Sequence, residues 1–392
     1  MRILYLLTDG FGGHGGIALY NRDMLRALSD IPQVDAVDAV PRIVGAFDEA
    51  LPPRVNWRSG AARGMAAYLA SALHASRGLG RTDLIYCAHV NLMPVAALIK
   101  ALRGTPVALM LYGIEAWTPL PQRLRNRAIR AADDILSISE YTLARFLEWT
   151  DHRRERAWLL PNAVHLEKFG AGSKDAELVR RFDLEGKRVL LIFGRMHPTE
   201  RKKGFDELLE ALPAILEREP RAVLLLAGDG DDRPRLSAKA KTLGVERAVR
   251  FTGPVAESEK AAIYRLADGY IMPSYQEGFG YVHLEAMACG IPVVASRADG
   301  AFDAVRGGLL GDLIDPHDRA AVVAAALKVL KQAKGVPAGL DFFAYPNFVR
   351  RVASWLGERS GAIRTSVPQP AEQASPAAAA PIGRRSVVAG RH

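Results

Sequence analysis

Cysteine is nearly missing from this chain: only Cys87 and Cys289 occur in 392 residues, both in apolar settings. That scarcity argues against a disulfide-stapled secreted scaffold and fits reduced, buried thiols in a cytosolic compartment. Long hydrophobic runs are missing too. None approaches the roughly 20 residues that a membrane-spanning helix needs, and the apolar part of "MRILYLLTDG" is too short for a secretory signal. The expectation is a cytoplasmic protein, at most peripheral on a membrane. Aromatic residues do not interleave the densest basic block, "RLRNRAIR" with Arg123, Arg125, Arg127 and Arg130. No nucleic-acid module is matched, so nucleic acid is not an expected partner. An anionic membrane surface or anionic acceptor would suit the block, as would a solvated helix face.

What is present is a large apolar inventory. Hydrophobic residues make up 49% of the chain, and its length exceeds one typical core, so two domains are the default. Short β-type runs alternate with helix-length segments throughout, the pattern of doubly wound α/β units. "RILYLL", "DLIYCA", "PVALMLY", "DILSIS" and "AWLLP" are the strand candidates of the first half. "RVLLIFG", "AVLLLAG", "AVRFTG", "DGYIMP" and "PVVAS" are those of the second. The expected organisation is two Rossmann-like domains, 1–165 and 166–340, facing a central cleft. A helix within 341–360 would pack back on the first domain, and a Pro/Ala-rich tail, 361–392, would be disordered.

Chemistry concentrates in "QEGFGYVHLEAMACGIPVVAS", residues 276–296. Pro273 and Ser274 stop a strand, Gly280 opens a helix and Gly290 fits the position just past its end. Glu277 therefore falls in a strand-to-helix loop and Glu285 inside the helix. A glycine-bracketed loop before a helix exposes amides backed by the positive end of the helix dipole, which suits phosphate. Carboxylates there suit paired hydroxyls instead, since each accepts two hydrogen bonds. A nucleotide sugar satisfies both, with its sugar on Glu277 and its ribose on Glu285. The same spacing also fits a loop charge and a solvated helix-face residue.

Two cations lie at another strand end, in "FGRMHPTERKKGFDELLEA": Arg195 leaves the strand, and Lys203 precedes Gly204 and a helix. A diphosphate leaving group accumulates negative charge that such cations offset. In "TDGFGGHGGIALYNRDML", Gly15 and Gly16 open a helix where backbone can approach a ligand. Three rivals stand beside this reading. "GFGGHG", with Asp35 twenty residues after Gly15, matches a dinucleotide-binding oxidoreductase. Asp229 and Asp231 in "GDGDD" could hold a divalent cation on phosphates, or form a helix-capping turn. A non-catalytic sugar-nucleotide-binding protein would carry the same residues.

Taken together, "GGIALYNRDMLRAL", "YGIEAW", "LPNAV", "FGRM", "KKGFDELLEA", "LLLAGDGDDRPRL", "VRFTGPV" and "EGFGYVHLEAMACGIPVVAS" resemble glycosyltransferase family 4 over roughly residues 1–335. The two glutamates with seven residues between them carry most of the likeness. The resemblance implies a retaining hexosyltransferase of the two-lobed GT-B fold, with a nucleoside-diphosphate sugar as donor and no cofactor or metal. A glycan or lipid-linked sugar in polysaccharide assembly would be the acceptor. It implies that Glu277 meets the transferred sugar and Glu285 the ribose, and that amides of Gly278, Phe279 and Gly280 hold sugar or phosphate. Arg195 and Lys203 would bind the diphosphate, Gly16 would approach it from the other lobe, and backbone at Pro254 and Val255 would meet the base. Two departures stand out. Tyr112 occupies a place often held by histidine, and "DGAFDAV" replaces a Gly-Gly-Pro-Glu-like turn, with Asp303 in the acidic place. His89 ends another first-half strand, as a contributor or as a satisfied structural residue.

Overall fold

The structure, a computed structural model, describes residues 1–47, 49–77 and 81–359. The expected disordered tail, 361–392, lies outside the described residues. By packing, Met1–Val352 form one unit, and the chain from Ala353 forms another that is helical to Arg359.

The first unit contains two parallel sheets. One is built from β1 (Arg2–Leu7), β2 (Ala36–Pro41), β3 (Val55–Trp57), β4 (Leu84–Cys87), β5 (Val107–Leu111), β6 (Asp134–Ser137) and β7 (Ala157–Leu159). Its order is β3-β2-β1-β4-β5-β6-β7. The other comprises β8 (Arg188–Phe193), β9 (Ala222–Ala227), β10 (Val249–Phe251), β11 (Gly269–Met272), β12 (Val293–Ser296) and β13 (Asp312–Ile314), in the order β10-β9-β8-β11-β12-β13. Every paired neighbour is parallel. This is the doubly wound pattern twice over, and the expected α/β class with two Rossmann-like lobes is what the chain forms.

Sequence explains most of these strands directly. β5 and β9 are unbroken apolar runs buried along their whole length, as strands covered on both faces must be. Three strands went unexpected: β2, β3 and β13. In β2 the buried Asp38 interrupts the apolar run, and it is tolerated because the Arg58 guanidinium reaches its carboxylate at 2.6 Å. β3 and β13 are three residues each, "VNW" and "DLI", too short to declare themselves.

Strand order reverses between β1 and β4 in the first sheet and between β8 and β11 in the second. Ligands of open α/β sheets bind beyond the carboxyl ends of the strands flanking such a reversal. The loops after β1, β8 and β11 are the ones that carry Gly16, Arg195, Lys203 and Glu277. The chain crosses between lobes at Val164, whose N–H donates to Phe343 O and whose carbonyl accepts from Tyr345 N. Phe348, one turn into the helix Tyr345–Arg359, sets its ring against Tyr20 of the first lobe, with centroids 5.5 Å apart.

The turn after β9 closes against the turn after β8 without any side chain between. Gly228 has φ +109, and a methyl built on it would lie 2.2 Å from Gly194 O. Gly228→Ala is therefore expected to destabilise the second lobe by more than the ~1–3 kcal/mol of backbone strain alone. A shift of the urea midpoint to lower concentration at unchanged slope is the check.

Candidate functional site

The glycine punctuation places the two glutamates as the spacing suggests. The helix after β11 runs Tyr281–Ala288, entered through Gly280 at φ +91. Glu277 stands in the loop before it and Glu285 in its second turn. Their surroundings differ sharply. Glu277 is partly exposed, and its carboxylate takes no hydrogen bond or ion pair among the described residues. Glu285 is 3% exposed, which removes the solvated-face reading. Its Oε1 meets Lys260 Nζ at 3.1 Å, and its Oε2 accepts from the Tyr264 hydroxyl at 2.7 Å. Lys260 and Tyr264 lie four residues apart, on one face of the segment Lys260–Arg265. Burial disfavours the ammonium, but Glu285 and Glu257 together hold the Lys260 pKa above its ordinary value. Neither partner was expected from sequence, although the i,i+4 spacing was visible.

Arg195 and Lys203 are brought together by a residue that sequence reading passed over. Glu200 pairs with Arg195 through one oxygen and with Lys203 Nζ at 3.0 Å through the other. Burial works against ionisation, yet Lys203 and Arg195 hold the Glu200 carboxyl below its usual range. The three form a cation–anion–cation row, with Glu200 and Lys203 on the turn Pro198–Lys203 and Arg195 just before it. This turn is fastened to the Glu277 loop, because Tyr275 N donates to Lys202 O at 3.0 Å. A methyl on Gly204, at φ +96, would lie 2.7 Å from Pro273 Cδ. Pro254 and Val255 sit two strands from β8 in the sheet, in the loop after β10.

The first lobe meets this loop closely. A methyl on Gly16 would contact the Tyr281 ring at 3.6 Å, so the helix Gly16–Asp30 starts beside the start of the Tyr281 helix. Two helix N-termini, one per lobe, thus converge. A methyl on Gly278 would lie 2.2 Å from Tyr112 O. The Tyr112 side chain points elsewhere: its hydroxyl donates to the buried Asn21 Oδ1 at 2.8 Å, where the Tyr5 hydroxyl also donates at 2.9 Å. Its own N–H and that of Gly113 are taken by Glu115 Oε1. His89 caps the turn Val90–Leu92, accepting from Asn91 N at 3.1 Å, and burial pushes its pKa down to about 4. Its ring is engaged as a local cap.

The rival motifs resolve by position. Asp35 precedes β2, at the amino end of the strands, where its N–H donates to Met1 O. A ribose-binding acid would stand at the opposite end. The helix-capping reading of Asp229 and Asp231 is corrected. The residue before the helix Arg233–Thr242 is Asp232, whose side chain makes no cap bond but holds Arg201 and Arg235. Asp229 Oδ1 accepts from the adjacent Gly230 N, and Asp231 is exposed.

Two doubly wound parallel sheets with converging switch-point loops define the GT-B architecture. The same fold is seen in Anabaena HepE in complex with UDP and glucose, which superposes with a TM-score of 0.72 at 22% identity over 91% of this chain and all of that one. Sequence places the chain more narrowly. Residues 14–168 match the model described as Glycosyltransferase Family 4, and 187–332 the model for Glycosyl transferases group 1. The chain belongs to this glycosyltransferase family. It is 38% identical over 167 residues to a D-inositol 3-phosphate glycosyltransferase of Corynebacterium jeikeium, covering 41% of this chain and 40% of that protein. Over 219 residues it is 32% identical to a GDP-mannose-dependent alpha-(1-6)-phosphatidylinositol monomannoside mannosyltransferase of Mycolicibacterium smegmatis, covering 53% and 56%. The chain spans about half the length of these curated relatives.

The contrast between the glutamates has a measurable consequence before any ligand is added. Glu285→Gln breaks a buried charged pair and is expected to lower stability by about 1–3 kcal/mol. Glu277→Gln removes no internal partner and should stay within roughly 0.5 kcal/mol of the parent. Denaturant midpoints of the two purified variants decide it.

Proposed function

We propose that the protein is a retaining glycosyltransferase, moving a hexosyl group from a nucleoside-diphosphate sugar to an acceptor hydroxyl. The observation that carries this reading is the meeting of three chemistries at one pair of switch points. These are an unpartnered carboxylate on Glu277, two cations on Arg195 and Lys203, and two converging helix N-termini. Glu277 would hold sugar hydroxyls so that the anomeric carbon faces the acceptor. Amides of Gly278, Phe279 and Gly280 and the Gly16 helix terminus would hold phosphate oxygens. Arg195 and Lys203 would offset charge developing on the leaving diphosphate. The reading assigns that role to side chains and helix termini rather than to a metal.

Glu285 would accept the ribose hydroxyls with the lone pairs left free by Lys260 and Tyr264, and backbone at Pro254 and Val255 would border the base. HepE binds UDP, and the Mycolicibacterium relative is named for GDP-mannose. Both lend support to a nucleotide-sugar donor here. A dinucleotide-dependent oxidoreductase finds no such support, since Asp35 stands at the wrong end of the sheet.

The acceptor we propose is a glycan or lipid-linked sugar, in polysaccharide assembly, met in the cytoplasm at an anionic membrane. No described helix is long and apolar enough to cross a membrane. The short helix Arg123–Ile129 instead leaves Leu124 81% exposed between Arg123 and Arg127. Such a mixed apolar and basic surface suits insertion among anionic headgroups. Arg123→Glu combined with Arg127→Glu should abolish cosedimentation with phosphatidylglycerol vesicles and spare donor hydrolysis in solution. Retained binding would assign the block to solvent.

Glu200 sharpens the test of the donor site. A diphosphate must displace its carboxylate from both cations. Arg195→Ala and Lys203→Ala should each slow turnover of the preferred UDP- or GDP-sugar by about 2–4 kcal/mol of barrier. Glu200→Gln should tighten nucleoside diphosphate by about two- to fivefold, the scale of a partly exposed ion pair. Calorimetry and steady-state hydrolysis measure both. Wild-type turnover in the two cation variants would place the diphosphate elsewhere.

A further inference from the structure

Asp299 follows β12 and opens the segment "DGAFDAV". Its side chain is fully buried. Oδ2 accepts from the Ser274 hydroxyl at 2.7 Å and from Glu277 N at 2.8 Å, and Oδ1 accepts from Ala301 N at 3.0 Å. One carboxylate therefore ties together the end of β11, the backbone of Glu277 and the turn Ala301–Ala304. The next residue completes the hold, because Gly300 N donates to Glu277 O at 2.8 Å. Only glycine fits there: a methyl would lie 2.0 Å from Gly278 O.

The opposite lobe grips the following carbonyl. The buried Ser139 hydroxyl donates to Gly278 O at 2.8 Å while accepting from Thr142 N at 3.1 Å, as the N-cap of the helix Glu140–Leu147. Asp303, one turn beyond Asp299, accepts at the same helix terminus, from Tyr141 N at 3.2 Å. The backbone groups on both sides of the Glu277 side chain are thus fixed: N–H and C=O of Glu277 from its own lobe, C=O of Gly278 from the other.

We propose that Asp299 and Ser139 are positioning residues for Glu277, clamping the Glu277–Gly278 backbone from the two lobes so that its carboxylate is held in register only while the lobes are in contact. The role in transfer rests on the glycosyltransferase reading; the clamp itself does not. A hydrogen-bonded loop of this kind needs no side-chain partner for Glu277, which matches the free carboxylate seen there. It also gives closure of the lobes a direct route to the sugar-facing group, through one hydroxyl.

Amide hydrogen exchange on the ligand-free protein tests the clamp, and kinetics test its use. In Asp299→Asn, peptides covering 274–280 should exchange at least about tenfold faster while those covering β8 and β1 stay protected. Ser139→Ala should loosen the same segment, and Ser139→Thr, which keeps the hydroxyl, should restore it. With a turned-over donor, both weakened variants should lose roughly tenfold or more in transfer rate while nucleoside diphosphate affinity stays within about twofold. Unchanged exchange at 274–280, or faster exchange spread through β8, overturns the clamp. Loosened exchange with an unaltered transfer rate, or a nucleotide affinity that falls in step with rate, overturns its positioning role. A wild-type protein inert toward every donor would instead remove the functional reading and leave exchange to decide the clamp.

Discussion

Three backbone turns meet at Gly278 with no side chain between them, and the site depends on that contact. The turn after β5 brings Tyr112 O and Gly113 against it, and the turn after β12 brings Gly300. Peptide groups packed this closely leave no room for side chains, and their buried N–H and C=O groups must find hydrogen-bond partners. The loop between β11 and the Tyr281 helix consequently has little freedom of its own. Its geometry belongs to the strand ends of both lobes.

Charge is arranged around this frame with unequal satisfaction. Glu285 and Glu200 are each held between two partners, whereas Glu277 has none among the described residues. A buried or crowded carboxylate without partners would be costly, so the two engaged groups are stable residents of the fold. The free one sits where solvent still reaches it. Two buried carboxyls nearby are held above their ordinary pKa range. Burial, reinforced by the Glu277 charge, pushes Asp299 up to about 7 against its hydrogen bonds, and burial pushes Asp303 up to about 6. Both lie on the turn that joins the Glu277 loop to the first lobe.

Much of this was legible in the residue order. Strands that are unbroken apolar runs announced themselves, and with them the doubly wound class. Gly280, Gly290 and Pro273 fixed where Glu277 and Glu285 would stand, because each has a backbone preference independent of its neighbours. What escaped was whatever depends on partners distant in sequence. β2 was hidden by Asp38, whose burial makes sense only once Arg58 is beside it. Glu200 in "PTERKKG" was not singled out, and Lys260 and Tyr264 gave no sign of facing Glu285. Asp299 was given no role of its own. Asp229 and Asp231, read as a helix cap, lost that role to geometry that a one-residue shift in the helix start was enough to change.

The return of the chain to its first lobe has a consequence for how the protein is made. All strands of the first sheet are complete by residue 159, yet Tyr20 receives the Phe348 ring only after the whole second lobe has been synthesised. At the usual rate of ~5–20 residues per second, the nascent first lobe spends roughly ten to forty seconds with that aromatic surface uncovered. During that interval the Tyr20 ring lacks this partner, and Phe348 supplies it only once the second lobe has been made.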